Sequence, residues 1–300
     1  MKWFYLGPEG THSHEAAAQL QAVCGMAGEL VPCSSIPAAV EQVFRDEAVD
    51  TFACVPIENS IQGAVTQTWD VLMKSMVETK SKPEAPKMLI ALTLPIHHYA
   101  IYRDGTEFSR VKHVYSHQQA LAQCQNHIAQ LCPNAALVAV NSTAEAARMV
   151  SEHDHADAVA IGSRRAADRY GLSYIPEPAE DKAGNVTRFA LVGKRAIVVG
   201  GKSGLQENEF VASLCLRGVG HQPGGLVGAL QPFADFGMNL ARVESRPVGD
   251  QLGNYVFYVD VSLQPDHVRA EQLLVEVIAQ LTSQGIDVVV LGAYPVCHGA

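Results

Sequence analysis

The residue types that could do chemistry concentrate in short polar strings. Gly7-Pro8-Glu9-Gly10-Thr11-His12-Ser13, Pro56-Ile57-Glu58-Asn59-Ser60-Ile61-Gln62-Gly63, Ser116-His117-Gln118-Gln119 and Gly162-Ser163-Arg164-Arg165 each sit where an apolar, strand-like run hands over to a helix-like one. In open α/β sheets such turns lie at the carboxyl ends of strands, where ligands bind. Each also offers free backbone N–H groups at a helix N-terminus, which favour an anion. Hydroxyls and amides in place of glycine runs point to a small oxyanion such as a carboxylate. One serine or threonine ahead of a helix is an ordinary cap; the recurrence within one α/β unit is what suggests a site. A fifth string, Asn185-Val186-Thr187-Arg188-Phe189, enters a strand-like run ending at Val192. Thr187 offers a hydroxyl, Arg188 a forked cation and Phe189 a ring wall. On pattern alone these residues read first as a strand edge with a surface arginine.

Other chemistries are excluded by spacing. His12-x-His14 and His153-x-His155 lack the i,i+4 separation and the carboxylate of a helical zinc site, so no metal is expected. Seven scattered cysteines contain no C-x-x-C pair and read as reduced thiols. Gly201-Lys202-Ser203 lacks the first glycine of a phosphate loop, since Ala196 stands there. With 22 Lys and Arg against 31 Asp and Glu, the net charge of −9 argues against nucleic acid and anionic membrane as partners. No apolar run reaches the roughly 18 residues that cross a bilayer, and the run from Met1 to Pro8 stops too early for a signal peptide. The expectation is a cytoplasmic chain.

The elements that must position these strings form a strand-then-helix rhythm. Strands are predicted over 3–6, 29–32, 51–55, 88–102, 136–140 and 158–161, with Pro95 interrupting or edging the fourth. Helices are predicted over 14–24 and 38–47, and capping boxes start two more at Ser116 and Ser142. This order calls for α/β architecture with a largely parallel sheet. The Pro83 and Pro86 segment suggests two lobes with a cleft between them. A length of 300 residues favours a further domain. After a Gly-rich stretch, strands over 210–217, 238–245, 255–262 and 287–291 and helices over 223–236 and 267–283 give a ferredoxin-like βαββαβ unit.

Taken together, Gly7–Thr11, Pro56–Gly63, Ser116–Leu121, Ala160–Ser163 with Tyr170-Gly171-Leu172, and Asn185–Phe189 resemble the prephenate dehydratase family, in the family's order and over nearly all of residues 2–193. The C-terminal unit resembles an ACT regulatory domain through Pro223-Gly224-Gly225-Leu226 and the string from Asn239 to Pro247. The resemblance implies a two-lobed catalytic domain of the type 2 periplasmic-binding-protein kind over 1–194, a linker over 195–209 and an ACT domain over 210–295. With no chorismate mutase segment ahead of Met1, it implies the monofunctional type. His12 stands where the family usually has an aromatic ring, Gly225 where the effector motif has alanine, and Met238 where it has a β-branched residue.

The activity so implied is loss of carbon dioxide and water from prephenate to give phenylpyruvate, with no cofactor. By motif match Thr187 serves the leaving hydroxyl, Thr11, Ser13, Asn59, Ser60 and Arg188 position substrate, and Phe189 walls the ring. His14 and His117 are candidates for a proton relay. L-Phenylalanine is the implied effector, bound by Gly224, Gly225, Leu226, Val227, Asn239, Leu240, Glu244, Ser245, Arg246 and Pro247 in a homodimer or homotetramer. Arogenate dehydratase, a non-catalytic solute-binding protein of two-lobed fold and an amino-acid-sensing regulator are the alternatives.

Overall fold

Alternation of apolar runs with capped amphipathic stretches builds the first lobe. In the computed structural model, which describes residues 1–79, 85–152, 156–197, 209–220, 222–248, 254–263 and 266–299, the chain opens with β1 (Lys2–Leu6), α1 (His12–Cys24), β2 (Glu29–Cys33), α2 (Ile36–Arg45) and β3 (Thr51–Asn59). β1 lies parallel between β2 and β3. Thr11 and Ser35 cap the two helices, accepting from the N–H groups of His14 and Ala38. A short return, β4 (Gly63–Ala64), folds back on β3 and leads into α3 (Thr66–Glu78), a helix the sequence reading lacks. Val65 before it makes no side-chain cap, so the usual start signal is missing. Its buried residues Trp69, Leu72 and Met76 nevertheless keep helical spacing.

The single strand expected over 88–102 is two. β5 (Lys87–Pro95) stays in the first sheet, and β6 (Tyr99–Tyr102) belongs to a second. Pro95 ends the first because it brings no N–H to the ladder. The second lobe comprises β6, β7 (His113–His117), α4 (Gln118–Gln123), α5 (Gln125–Leu131), β8 (Ala136–Val140), α6 (Thr143–Glu152), β9 (Ala158–Gly162), α7 (Arg164–Tyr170) and β10 (Ser173–Tyr174), with sheet order β10-β6-β9-β7-β8. The chain then returns as β11 (Val186–Gly193), antiparallel between β3 and β5. Two crossings, at 96–98 and 175–185, therefore join the lobes.

The βαββαβ unit is as expected: β12 (Glu209–Arg217), α8 (Gly225–Asp235), β13 (Leu240–Pro247), β14 (Tyr255–Ser262), α9 (His267–Ser283) and β15 (Asp287–His298), with strand order β13-β14-β12-β15. Phe233, Leu274 and Leu281 from its helices cover one sheet face. Tyr258, Cys215 and Tyr294 on the other face pack with Trp69 and Leu72 of α3. β15 runs past the expected end at Leu291, and Val296–His298 pair in parallel with Ala91–Thr93 of β5. One sheet thereby runs through both units. The crossing is close: a Cβ on Gly292 would lie 2.3 Å from the Met88 carbonyl oxygen, so no larger residue fits. Of the expected linker, Arg195 pairs with Asp50 at 2.8 Å. Gly200 to Gly204 and the His153-x-His155 pair fall outside the described residues. Among those described, no helix is long and apolar enough to cross a membrane.

Candidate active site between the lobes

The carboxyl ends of β1, β3, β7 and β8 face one another across a cleft of about 810 Å³. Thr11, Ser13, Asn59 and Thr187 line it, together with His117 and Gln119. α1 and α6 begin at its edge, the second capped by Ser142, whose hydroxyl accepts from the Glu145 N–H at 3.0 Å. Their N-terminal N–H groups give the cleft local positive potential inside an acidic protein. Among the described residues, Arg148, on α6, is the Lys or Arg side chain on the wall, and it pairs with Glu152 at 2.5 Å.

Alternation along β11 separates the residues expected to work together. Thr187 faces the cleft and is 9% exposed. Arg188 points to the opposite side, where its guanidinium meets Glu209 at 3.2 Å and Glu58 at 3.8 Å. It does not line the cleft, which corrects its expected place on a substrate carboxylate. A bulge between Arg188 and Phe189 shifts the register against β3. Phe189 then sits in the core with Trp3, Tyr5 and Leu92 and walls no part of the cleft. Ser60 is also elsewhere: its hydroxyl donates to the Gly184 carbonyl at 3.1 Å and accepts from the Val186 N–H at 3.0 Å, pinning the second crossing.

The Gly162–Arg165 cluster, read as a ligand turn, is a clamp instead. Ser163 caps α7 and donates to the Gly10 carbonyl at 2.7 Å, while Arg169 pairs with Glu9 at 2.8 Å. Both tie the Gly7–Thr11 turn to the opposite lobe. Ser116 is buried within β7 and donates to the Ile161 carbonyl at 2.6 Å, so the expected capping box is absent and His117 takes the cap position. His14 Nδ1 accepts from the Gly10 N–H at 3.1 Å, and burial, then Arg165, lowers its pKa.

Sequence reasoning missed the polar groups of the two crossings. Asn59 Nδ2 donates to Thr187 Oγ1 at 2.9 Å, to Asn185 Oδ1 at 2.8 Å and to the Val186 carbonyl at 3.2 Å. Asn185 Nδ2 donates to Gln123 Oε1 at 3.2 Å, and His98 Nε2 lies 3.2 Å from the same oxygen. Burial, and next His12, pushes the His98 pKa down to about 4. A polar residue just after Pro95, at the end of an apolar run, was the available signal for His98. Because Thr187 Oγ1 accepts from an amide, its own hydrogen is available to a ligand. Among the described residues, no group of three or more His, Cys, Asp or Glu could hold a metal ion.

In the βαββαβ unit the expected effector residues divide between two faces. Val227 and Leu240 share a groove of about 290 Å³ between α8 and the start of β13. Ser245 and Pro247 are exposed. Glu244 and Arg246 face α3, bound to Arg242 at 3.0 Å and Asp70 at 2.7 Å. Gly224, at φ +86°, opens α8. A Cβ on Gly225 would lie 2.1 Å from the Gly220 carbonyl oxygen. That bare Cα is therefore used by the chain itself, not left open for a ligand.

Comparison with known proteins agrees with this architecture. The sequence model of the prephenate dehydratase family matches residues 3–197. Prephenate dehydratase of Methanocaldococcus jannaschii is 34% identical over 292 residues, 97% of this chain and 97% of its own. Arogenate dehydratase 1 of Petunia hybrida is 32% identical over 308 residues, 97% of this chain and 66% of its own. The crystal structure of Arthrobacter aurescens prephenate dehydratase in complex with L-Phe is similar at TM-score 0.77 and 29% identity, covering 98% of this chain and 90% of that one.

Proposed function

The chain belongs to the prephenate dehydratase family, and from that premise we propose that it converts prephenate to phenylpyruvate in the interlobe cleft, as a cytoplasmic enzyme inhibited by phenylalanine. In this reaction the ring carboxylate leaves as carbon dioxide, its electron pair moves into the ring, and the hydroxyl departs with a proton as water. Aromatisation supplies the driving force, so the protein has to hold the substrate and lower one barrier. A threonine hydroxyl is too weak an acid to release its proton outright. Thr187 acts instead as a preorganised donor to the oxygen as negative charge grows on it.

The observation that carries this reading is the 2.9 Å hydrogen bond from Asn59 Nδ2 to Thr187 Oγ1, which leaves the threonine hydrogen free toward the cleft. Thr11 and Ser142 cap helices that begin at the cleft, and the N–H groups of those helices receive the substrate carboxylates. Thr11, Ser13 and Asn59 position the substrate; Ser60 acts indirectly, through the backbone at 184–186. The βαββαβ unit serves as the ACT domain, taking phenylalanine beside Gly224–Val227, Asn239 and Leu240, and the protein works as a homodimer or homotetramer.

The test is turnover by purified protein. Prephenate should give phenylpyruvate, at a rate that falls on adding phenylalanine. Formation of phenylalanine from arogenate, with prephenate untouched, would transfer the activity to the amino-acid substrate. Turnover of neither would sink the reading.

A further inference from the structure

The direction of every hydrogen bond behind Thr187 can be deduced from one fixed starting point. The backbone N–H groups of Ile61 and Gln62 point at Asn59 Oδ1, at 3.1 and 3.0 Å. Backbone N–H groups only donate, so Asn59 must present its Nδ2 on the other side. That nitrogen reaches Thr187 Oγ1 and Asn185 Oδ1. Asn185 is thereby oriented in turn, and its Nδ2 donates to Gln123 Oε1. An amide oxygen only accepts, so the ring nitrogen of His98 against the same atom, Nε2, carries the proton. Among the described residues, neither Gln123 Nε2 nor His98 Nδ1 has a hydrogen-bond partner. The chain of bonds uses one atom of Gln123 and one protonation form of His98.

These residues come from every part of the cleft's frame. Gln123 ends α4 in the second lobe, His98 lies in the first crossing and Asn185 in the second, while Asn59 and Thr187 belong to the first lobe. We propose that Gln123 and His98 are positioning residues for the dehydration: they anchor the far end of a one-way hydrogen-bond chain that turns the Asn59 amide toward Thr187 and so fixes the threonine as a donor. This rests on the reading of Thr187 given above. The chain becomes complete only when both lobes and both crossings are in register, so a closed cleft and an aligned hydroxyl are one condition. Alignment of this kind acts on the chemical step, where a misplacement of about 1 Å costs up to roughly a hundredfold.

A purely structural role for Gln123 would be satisfied by any side chain that fills its space. The proposed role demands an oxygen acceptor and nothing else. Gln123→Glu keeps that oxygen and exchanges the unpartnered nitrogen for a second oxygen and a negative charge; Gln123→Met keeps the volume and loses the acceptor. Steady-state kinetics on prephenate should give Gln123→Glu a kcat within about threefold of the unaltered enzyme, with the added charge on the cleft wall raising KM. Gln123→Met should lose about tenfold or more, with KM changed less than threefold and a melting temperature close to that of the Glu variant. Nitrogen-15 NMR of histidine-labelled protein should find His98 as the Nε2–H tautomer with Nδ1 bare. Equal kcat for the two variants, equal damage in both, or an Nδ1–H tautomer would overturn the proposal while leaving the dehydratase reading intact. Failure of the unaltered protein to turn over prephenate would overturn that reading, and the proposal with it.

Discussion

Thr187 is the residue on which the proposed chemistry turns, and its two simplest variants make opposite predictions. Thr187→Ala removes the donor and should lower kcat by roughly 10²–10³, with little change in melting temperature. Thr187→Ser keeps an oxygen to accept from Asn59 and a hydrogen to donate, and should retain much more activity. Phenylpyruvate formation measures both; equal rates would take Thr187 out of the reaction. His98 supports a prediction about stability. Burial and the neighbouring His12 hold its pKa at about 4 against an ordinary 6.5. For a base depressed in this way the unfolded chain binds the proton first as pH falls. Its contribution to stability is whole above about pH 6.5 and is lost progressively toward about pH 4. The melting temperature should therefore fall over that interval, and less steeply in His98→Gln. Identical slopes would mean that the imidazole titrates alike in both states.

Elements decide which residues of a string work together. Along β11 the side chains alternate, so Thr187 and Arg188 cannot share one surface however close they are in sequence. Across the strand pair, Thr187 opposes Asn59 on the cleft side and Arg188 opposes Glu58 on the other, with Glu209 of β12 completing the ion pairs. Arg188→Gln should consequently lower the melting temperature by roughly 2–4 °C, the scale of about 1 kcal/mol in a chain this size, and change KM for prephenate less than threefold. A tenfold rise in KM at unchanged melting temperature would return Arg188 to the substrate.

What was legible in the sequence follows from the same physics. Capped helices such as α1 and α2 and the βαββαβ order announce themselves through local signals. α3 starts without a cap and stayed hidden. The break between β5 and β6, and the run of β15 onto β5, depend on which distant strand offers a partner, and no local pattern carries that. Thr11, Ser13 and Asn59 stood in polar strings at strand ends, and the family resemblance singled them out together with Thr187; the structure places all four on the cleft. Gln123 and His98 act through the ends of elements that only the folded chain brings together.

In the whole molecule, the βαββαβ unit reaches the Asn59 turn through α3. The Arg242 guanidinium lies 3.8 Å from the centroid of the Trp69 ring, Tyr258 donates to the Trp69 carbonyl at 3.1 Å, and Arg246 binds Asp70 at 2.7 Å. Trp69 Nε1 in turn donates to the Ile57 carbonyl at 2.9 Å, and Thr68 to that of Pro56 at 2.6 Å. Those two carbonyls belong to the strand end that presents Asn59 to Thr187. An effector on α8 and β13 therefore has a route to the cleft, provided that it binds one arrangement of β13 against α3 better than another. The Arg246–Asp70 pair is the contact on this route most open to a mild change, because Asp70 is half-exposed and touches neither cleft nor effector groove. Asp70→Asn keeps the shape and removes the charge. Uninhibited kcat should stay within about twofold, while the phenylalanine concentration for half-inhibition should rise roughly five- to tenfold, a coupling loss of about 1 kcal/mol. The measurement is a dose–response curve on prephenate turnover beside the phenylalanine-induced shift in melting temperature. If inhibition weakens while the thermal shift persists, the pair carries the signal; if half-inhibition does not move, coupling runs instead through β15 and its pairing with β5.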